Sequence, residues 1–552
     1  MKKKLLSTMA LTAAMALTLS ACGGGSADTD KKADDKPVKT DAVITVNNTE
    51  PQHPLIPGNT NEVAGGLVID HIYAGLQSYD EKGETQLEMA ESIKSDDNQT
   101  WTIKIKPDQK FSDGSAVNAK SFVDAWNQTV KQNMVSASFF ESVEGYDDAV
   151  KDAEAQVKGS GVGTVDMSGL NVVDDQTFTV KLKRPESDFP LRLGYSAYFP
   201  MPEAGIGSPD KVAKFGDAPI SNGPYVVKKG DWEHNVQITL TPNPNYKGPR
   251  KVMNGGITMK IYSGQDAAYN DLLGETLDIL DAIPDSAFGT FQNELGKRAV
   301  NKASAVFQSF TIPANDKRFQ GEEGKLRRQA LSYAINRKEI CDKVFQGTRS
   351  PATDFIAPVV PGHNDNLKGK EVVKFDPEKA KKLWKKADEK SPWSGSFELA
   401  YNPDGGHQAW VDATMNSIKN TLGIDAKGKP YADWKSLRDD VQSRKITAAF
   451  RTGWQADYPS PYNFLQPLYG TKASSNDGDY SNPKFDELLD KALNTSDQAE
   501  ANKIYDQAQE ILFEDLPAIP LWYSNVVGGF GKGVKGVVFD WHSKPLLYQV
   551  TK

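Results

Sequence analysis

The residues best suited to chemistry lie together in the stretch 453–459, GWQADYP. It combines a carboxylate (Asp457), an aromatic ring (Trp454) and a glycine with an open backbone, and it follows an apolar run, Ala448–Phe450, that predicts a buried strand. A carboxylate just after a buried strand is partly desolvated, so it holds a cation such as an ammonium group more firmly than a surface acid does. The stretch contains no nucleophile and favours binding over catalysis, although Asp457 could equally cap the turn that the following proline predicts.

The overall composition is that of a large globular protein. With 552 residues and 38% hydrophobic content, the chain can bury a sizeable core, and its length predicts about three to four domain-sized units. A net charge of −8 argues against nucleic-acid binding. The histidines are far apart and have no CxxC or HxxxH companion, so we expect no metal and no other cofactor. Because GxSxG, HExxH and Walker motifs are absent from the sequence, we do not expect an enzyme.

The N-terminus predicts export from the cell. Lys2–Lys4 precede an apolar run, Leu5–Leu19, and small residues then lead to Cys22. The junction before Cys22 resembles the lipobox of bacterial lipoproteins, which implies that residues 1–21 are a cleaved signal peptide and that Cys22 carries a lipid anchor. A plain secretory signal with a chance cysteine is the alternative. Residues 22–41 are rich in Gly, Ser, Lys and Asp, so we expect a flexible tether there.

Hydrophobic periodicity predicts an α/β chain without internal repeats. Asp376 and Asn482 each predict a helix start, because a capping side chain is followed by proline at the first helical position. Cys341, the one cysteine left after lipidation, lies in an apolar-periodic run and is expected to be buried in a helix without a disulfide partner. Further helices are expected at Leu67–Leu76, after Asn118 and from Ser496 to Pro517, and strands at Ala42–Val46, Trp101–Lys106, Phe178–Leu182, Val236–Leu240 and Leu521–Tyr523.

Several blocks of sequence, in a fixed order, resemble one protein family. The stretch 453–461, GWQADYPSP, resembles the GWxADYxxP pattern of the peptide-binding class of ABC-transporter solute-binding proteins, which is the oligopeptide- and dipeptide-binding family 5. The blocks Phe111–Ala119, Asn222–Tyr225 and Lys325–Arg337 are similar to further segments of that family. The resemblance extends over essentially all of Ala42–Lys552.

The resemblance implies a two-lobed α/β clamp of the periplasmic-binding-protein type, with two hinge strands and an extra subdomain in lobe one. Two crossing segments, near Ala303–Thr311 and Pro520–Asn525, would form the hinge, so that the lobes could rotate without unfolding. The expected boundaries are 42–311 for lobe one, with the subdomain at about 78–216, then 312–520 for lobe two and 521–552 for the return to lobe one.

The resemblance also implies roles for single residues. Asp457 would bind the α-ammonium group of a peptide, while segments from both lobes would pair with the peptide backbone by strand addition. The backbone-pairing residues would be Gly453, Trp454 and Gln455 in lobe two and Asn61, Glu62 and Val63 in lobe one.

Four further side chains are candidates with equally good alternatives. Arg451 resembles the family arginine that can reach the carboxylate of a short peptide, but a structural ion pair would explain it as well. Trp454 and Trp434 could form walls of side-chain pockets, and so could Phe139 from lobe one. For each aromatic residue, packing in the core is an equally good explanation.

The function implied is that of an extracytoplasmic lipoprotein that captures oligopeptides or dipeptides between its lobes and delivers them to an ABC permease. It would act as a monomer, anchored by lipid to the outer face of the cell membrane, with no nucleic-acid partner. One alternative is the same fold with a non-peptide ligand, such as a nickel chelate, heme or sugar. Another is a peptide-sensing surface protein. Asp457 favours a ligand with a free amine.

Overall fold

The structure is a computed structural model, in which residues 39–157, 161–403 and 406–552 are described. The expected signal peptide, Cys22 and most of the expected tether lie outside these residues. Within them, no helix is both long enough and apolar enough to cross a membrane.

Strands occur along the whole described chain. Their bounds are β1 (Val43–Asn48), β2 (Gln77–Tyr79), β3 (Thr85–Leu87), β4 (Ala90–Lys94), β5 (Thr100–Ile105), β6 (Leu170–Asp174), β7 (Thr177–Lys181), β8 (Tyr225–Val226), β9 (Trp232–Glu233), β10 (Gln237–Pro242), β11 (Gly256–Ile261), β12 (Ile279–Leu280), β13 (Ala299–Thr311), β14 (Arg349–Pro351), β15 (Phe397–Tyr401), β16 (Ala426–Pro430), β17 (Ala449–Gln455) and β18 (Ala518–Phe530).

Helices alternate with these strands, most densely after β13. Their bounds are α1 (Val63–Ile72), α2 (Ala119–Lys131), α3 (Tyr146–Val157), α4 (Phe189–Arg192), α5 (Pro209–Gly216), α6 (Gln265–Leu273), α7 (Phe291–Leu295), α8 (Gly321–Tyr333), α9 (Arg337–Lys343), α10 (Pro377–Lys390), α11 (Gln408–Leu422), α12 (Trp434–Gln442), α13 (Pro461–Tyr469), α14 (Pro483–Leu493) and α15 (Gln498–Asp515).

One long sheet runs through both lobes of the protein. Its order is β16-β15-β17-β13-β18-β12-β1-β11-β10-β8, with β14 beside β18 and β9 beside β10. The central strands β13 and β18 have 13 residues each and pair antiparallel from Ala299 opposite Gly529 to Thr311 opposite Ala518. The two segments expected to cross between the lobes lie inside these strands. The protein is a two-lobed α/β clamp whose lobes are joined by this strand pair.

The two central strands also carry side chains into the cores of both lobes. Phe307 of β13 and Trp522 of β18 are fully buried in the larger core, which the helices after β13 surround. Val526, farther along β18, is buried in the other core together with Ile44 and Ile257. Rotation about the strand pair can therefore leave each core intact.

A separate four-stranded sheet, in the order β4-β5-β7-β6, has its own core. Trp126 and Phe122 of α2 pack on Phe178 of β7, with ring centroids 5.6 and 5.9 Å from that of Phe178. This unit corresponds to the subdomain expected in lobe one. The numerical boundaries of the lobes and of the subdomain stay a prediction.

Capping residues set most helix starts where the sequence indicated. The side chains of Asn118, Asp376 and Asn482 accept backbone hydrogen bonds at the starts of α2, α10 and α14, which confirms those three predictions. The helix expected from Ser496 begins slightly later, because Asp497 is its cap. Cys341 is buried in α9 as expected, and burial raises the pKa of its thiol to about 12.

Two further helix assignments differ from the expectation. The helix expected at Leu67–Leu76 is α1, Val63–Ile72, because the side chain of Glu62 accepts from the N–H of Gly65 at 2.9 Å and starts the helix earlier. The block Lys325–Arg337, which resembles a helix of the family, is not one helix. The chain leaves α8 after Tyr333 and starts again at α9, where Asn336 is the cap.

A buried ionic cluster joins the subdomain to the segment that follows Asp457. Arg192 lies 2.8 Å from Glu186 and 3.1 Å from Asp188, and all three side chains are less than one-tenth exposed. The other carboxylate oxygen of Asp188 accepts from Ser460 Oγ at 3.0 Å. The guanidinium of Arg192 also lies 5.4 Å from the ring centroid of Tyr458.

We expect Arg192→Met to destabilise the protein by about 3–5 kcal/mol, because it leaves the buried carboxylate of Asp188 without a counter-ion and that of Glu186 with only the longer 3.4 Å contact to Arg184. Denaturant titration followed by tryptophan fluorescence measures the effect. Lys104→Met is the matched control. It removes an ion pair to Glu91 in which both side chains are almost half exposed, so its cost should stay below about 1 kcal/mol. Equal transition midpoints for the two variants would contradict the structural role of the cluster.

Candidate functional site

A cavity of about 620 Å³ lies where the two central strands cross between the lobes. Segments from distant parts of the chain line it, among them Ser304 and Val306 of β13 and Ser524 and Asn525 of β18. The lining also includes Asn61–Val63, Tyr195, Gln265, Asp281, Gly453–Gln455, Asp457 and Lys544. Asp457 and both expected backbone-pairing segments therefore meet in one cavity.

Asp457 is held in place by Asn463 of α13. The N–H of Asp457 donates to Asn463 Oδ1 at 2.8 Å, and Asn463 Nδ2 donates to Asp457 Oδ2 at 3.0 Å. Trp454 Nε1 donates to the same Asn463 Oδ1 at 3.2 Å. Asn463 is only 3% exposed, so it fixes both the acid and the neighbouring ring.

A β-bulge in β13 at Ser304–Ala305 holds the backbone of the residue just before Asp457. The N–H of Ala305 donates to the carbonyl of Trp541, and its carbonyl accepts from the N–H of Ala456, each at 3.0 Å. Bulges commonly re-aim a strand beside a functional site. Here the bulge places Asp457 at the end of β17 against the segment that contains Lys544.

The carboxyl of Asp457 lines the cavity but is surrounded by protein. Desolvation raises its pKa to about 6, and the hydrogen bond from Asn463 and the charge of Lys544 only partly offset this. Lys544 is itself paired with the carboxylate of Asp70. Asp457 is therefore still mostly ionised at pH 7, in surroundings that make it a strong partner for a cation.

The backbone of β17 is open on one side where it lines the cavity. Along Phe450–Gln455 it pairs with β13, but the strand on its other side, β15, pairs only with Ala449 and Phe450. In the described part of the chain, the second edge of Thr452–Gln455 has no strand partner. An extended ligand can add there as a further strand.

Gly453 fits this use of the open edge. A Cβ atom at that position would meet only the carbonyl oxygen of Phe307, at an ordinary 3.4 Å, so the fold itself does not require a glycine. Close approach of a ligand backbone does favour a glycine at this position, because glycine has no side chain.

The expected lobe-one segment, Asn61–Val63, lines the cavity in a different form. Glu62 is extended but caps α1, and Val63 is the first residue of that helix, with 62% of its surface exposed. Only a short extended piece is therefore available for pairing with a ligand on this side. Its contact with a ligand stays a prediction.

The structure does not bring Arg451, Trp434 or Phe139 into this cavity. Arg451 lies farther back along β17, where its Nε donates to Asn402 Oδ1 at 2.6 Å and its guanidinium lies 4.1 Å from the ring centroid of Trp434. Trp434 is at the first turn of α12. Phe139 supports the cavity from behind, since it stacks at 4.6 Å on Tyr195, which does line it.

Several lining residues escaped the sequence analysis. Asp281 follows a strand of two residues, too short to show a period, and Gln265 and Lys544 have no motif around them. Asn463 was detectable in part, because Ser460-Pro461 predicts a helix start just before it. Among the described residues, no group of three or more His, Cys, Asp or Glu side chains could hold a metal ion.

Comparisons of the sequence with known proteins cover most of the chain and agree with one another. Residues 84–476 match the family described as bacterial extracellular solute-binding proteins, family 5, middle. The chain is 28% identical over 549 residues to the oligopeptide-binding protein OppA of Bacillus subtilis, with 97% of each chain covered. It is 27% identical over 521 residues to the dipeptide-binding protein DppE of that organism, covering 93% of this chain and 91% of the relative.

Comparison with solved structures supports the fold. The structure of the Escherichia coli murein tripeptide binding protein MppA matches with a TM-score of 0.72 at 22% identity, covering 93% of this chain and 98% of that one. The two-lobed fold and a family match over more than half of the sequence agree with each other. The chain belongs to family 5 of the bacterial extracellular solute-binding proteins.

Proposed function

We propose that this protein captures peptides in the cavity between its lobes and delivers them to an ABC permease for uptake. Lipidated Cys22 would keep it on the extracytoplasmic face of the cell membrane. The oligopeptide- and dipeptide-binding relatives support the ligand class.

The observation that carries this proposal is the position of Asp457 at the end of an open strand edge. A peptide that adds to Thr452–Gln455 has its backbone satisfied without regard to its side chains. Its α-ammonium group, a positive charge that all unmodified peptides share, can then meet the desolvated carboxylate of Asp457. Together the two contacts select unmodified peptides as a class.

Ligand binding is best measured by calorimetry on protein that has been unfolded and refolded to remove any carried ligand. The titrants are a tripeptide, a pentapeptide and their N-acetylated forms. Binding that acetylation abolishes supports the proposal. If no peptide binds, mass spectrometry of the co-purified ligand distinguishes a nickel chelate, heme or a sugar.

A peptide-sensing role is separated from transport by deleting the gene and testing growth on peptides as the source of amino acids.

We expect Asp457→Asn to weaken peptide binding by about thirty-fold to several thousand-fold, because one partner of a desolvated charged pair is lost. The same variant should bind the N-acetylated peptide no worse than the wild type does. Glu389→Gln is the control, because it also replaces a carboxylate by its amide, at an exposed helix position, and it should bind like the wild type. Wild-type affinity in Asp457→Asn would refute the role of this carboxylate.

Peptide affinity should also fall with pH in a defined window. The pKa of Asp457 is raised to about 6, so its carboxyl becomes protonated as pH falls through that value, while the α-ammonium of the peptide remains charged. At pH 5 only about a tenth of the carboxyl is ionised, so affinity should be about tenfold lower than at pH 7. Titrations from pH 5 to 8 test this. Asp457→Asn should show a much flatter profile, and an equal slope would assign the pH dependence to another group.

A further inference from the structure

We propose that Asp281 forms a second cation-binding point in the same cavity and selects peptides that carry a basic side chain. This inference rests on the peptide function proposed above and adds a preference to it.

Among the described lining residues, the charged groups are Glu62, Asp281, Asp457 and Lys544. Lys544 is paired with Asp70, and the carboxylate of Glu62 is engaged at the start of α1 by the N–H of Gly65. Asp457 is assigned to the α-ammonium group. Asp281 is then the remaining carboxylate, and the cavity as a whole matches a ligand with two positive charges.

The carboxylate of Asp281 has neutral partners only. Its Oδ1 accepts from Asn47 Nδ2 at 2.6 Å, and its N–H donates to Asn47 Oδ1 at 2.9 Å, so this reciprocal pair fixes the side chain. Burial raises the pKa of Asp281, offset in part by these hydrogen bonds and by no cation. A buried carboxylate without a cation is costly, and a cation from the ligand removes that cost.

A second acceptor lies in the neighbouring element. The side-chain oxygen of Gln265, at the start of α6, is buried without a hydrogen-bond partner and also lines the cavity. Ser286 Oγ donates to Asp266 Oδ1 at 2.5 Å, which ties the segment after β12 to the first turn of α6. The Asp281 carboxylate and the Gln265 oxygen are two acceptors that suit a lysine ammonium or an arginine guanidinium, which are donors only.

The arrangement disfavours an acidic side chain at this point. Arg451 does not line the cavity, and Lys544 is already paired, so no described lining residue offers a free cation. An acidic residue of the peptide near Asp281 would place like charges together in partly desolvated surroundings. A neutral side chain would leave the Asp281 carboxylate as it is in the empty cavity.

The test is a tetrapeptide series on the refolded protein, measured by calorimetry at pH 7.5. The parent is tetra-alanine, and single lysine, norleucine or glutamate residues replace alanine at positions two, three and four in turn. Norleucine keeps the lysine stem without its charge. In at least one position we expect lysine to bind at least about tenfold more tightly than norleucine, with glutamate weakest.

Asp281→Asn should remove that lysine preference, so that the lysine and norleucine peptides bind with affinities within about twofold of each other, and binding that still depends on a free amine shows that the variant is folded. Asp281→Glu should retain a preference for lysine. Equal affinities for lysine and norleucine at all positions in the wild type, with binding that still depends on a free amine, would overturn this inference alone. A lysine preference that persists in Asp281→Asn would overturn it as well. If no tetrapeptide binds, the peptide function fails and this inference fails with it.

Discussion

The antiparallel pairing of β13 and β18 is the interaction on which the rest of the structure depends. The two strands bury Phe307 and Trp522 in one core and Val526 in the other, so each lobe is anchored to the same ladder. The ladder also positions the cavity. Its bulge at Ser304–Ala305 bonds to Ala456, and β17 is added directly beside β13, so the acid at the end of β17 is placed relative to the hinge by backbone hydrogen bonds. A site built on paired strands keeps its geometry better than one built on loops alone.

The cost of the site is a set of carboxyl groups held away from water. Asp457 and Asp281 both have a pKa raised to about 6 by burial, and each is compensated mainly by one asparagine, Asn463 or Asn47. An asparagine fixes the position of a carboxylate without neutralising it. The carboxylates of Asp457 and Asp281 therefore remain available to a cation from a ligand. In contrast, the carboxylates of Glu186 and Asp188 form internal ion pairs with Arg192.

The features that could be predicted from the sequence are those with a local physical cause. Asp376 and Asn482 were identifiable as helix caps because capping and the following proline act within one turn. Asp457 was identifiable because its family pattern is contiguous. Asp281 was not, because its role arises from contact with Asn47, which is far away in the chain. Asn463 was detectable only in part, because the helix start before it can be predicted but its hydrogen bonds to Asp457 cannot. Arg451 shows the same limit of sequence-based prediction, because it was a candidate that does not line the cavity. It shares a strand with Gly453, but its guanidinium packs on Trp434 of α12 and does not line the cavity.

Under the proposed function, the placement of these groups on both sides of the hinge links binding to closure. Asp457 and the open edge of β17 belong to the part of the chain that follows β13, whereas Asp281 and Asn61–Val63 precede it. A ligand held by both groups gains its second set of contacts only when the two sides are close. It therefore binds the closed arrangement more tightly, and this difference in affinity is the free energy that shifts the population towards closure. A ligand that contacted only one side would shift the equilibrium less, however well that single contact was made.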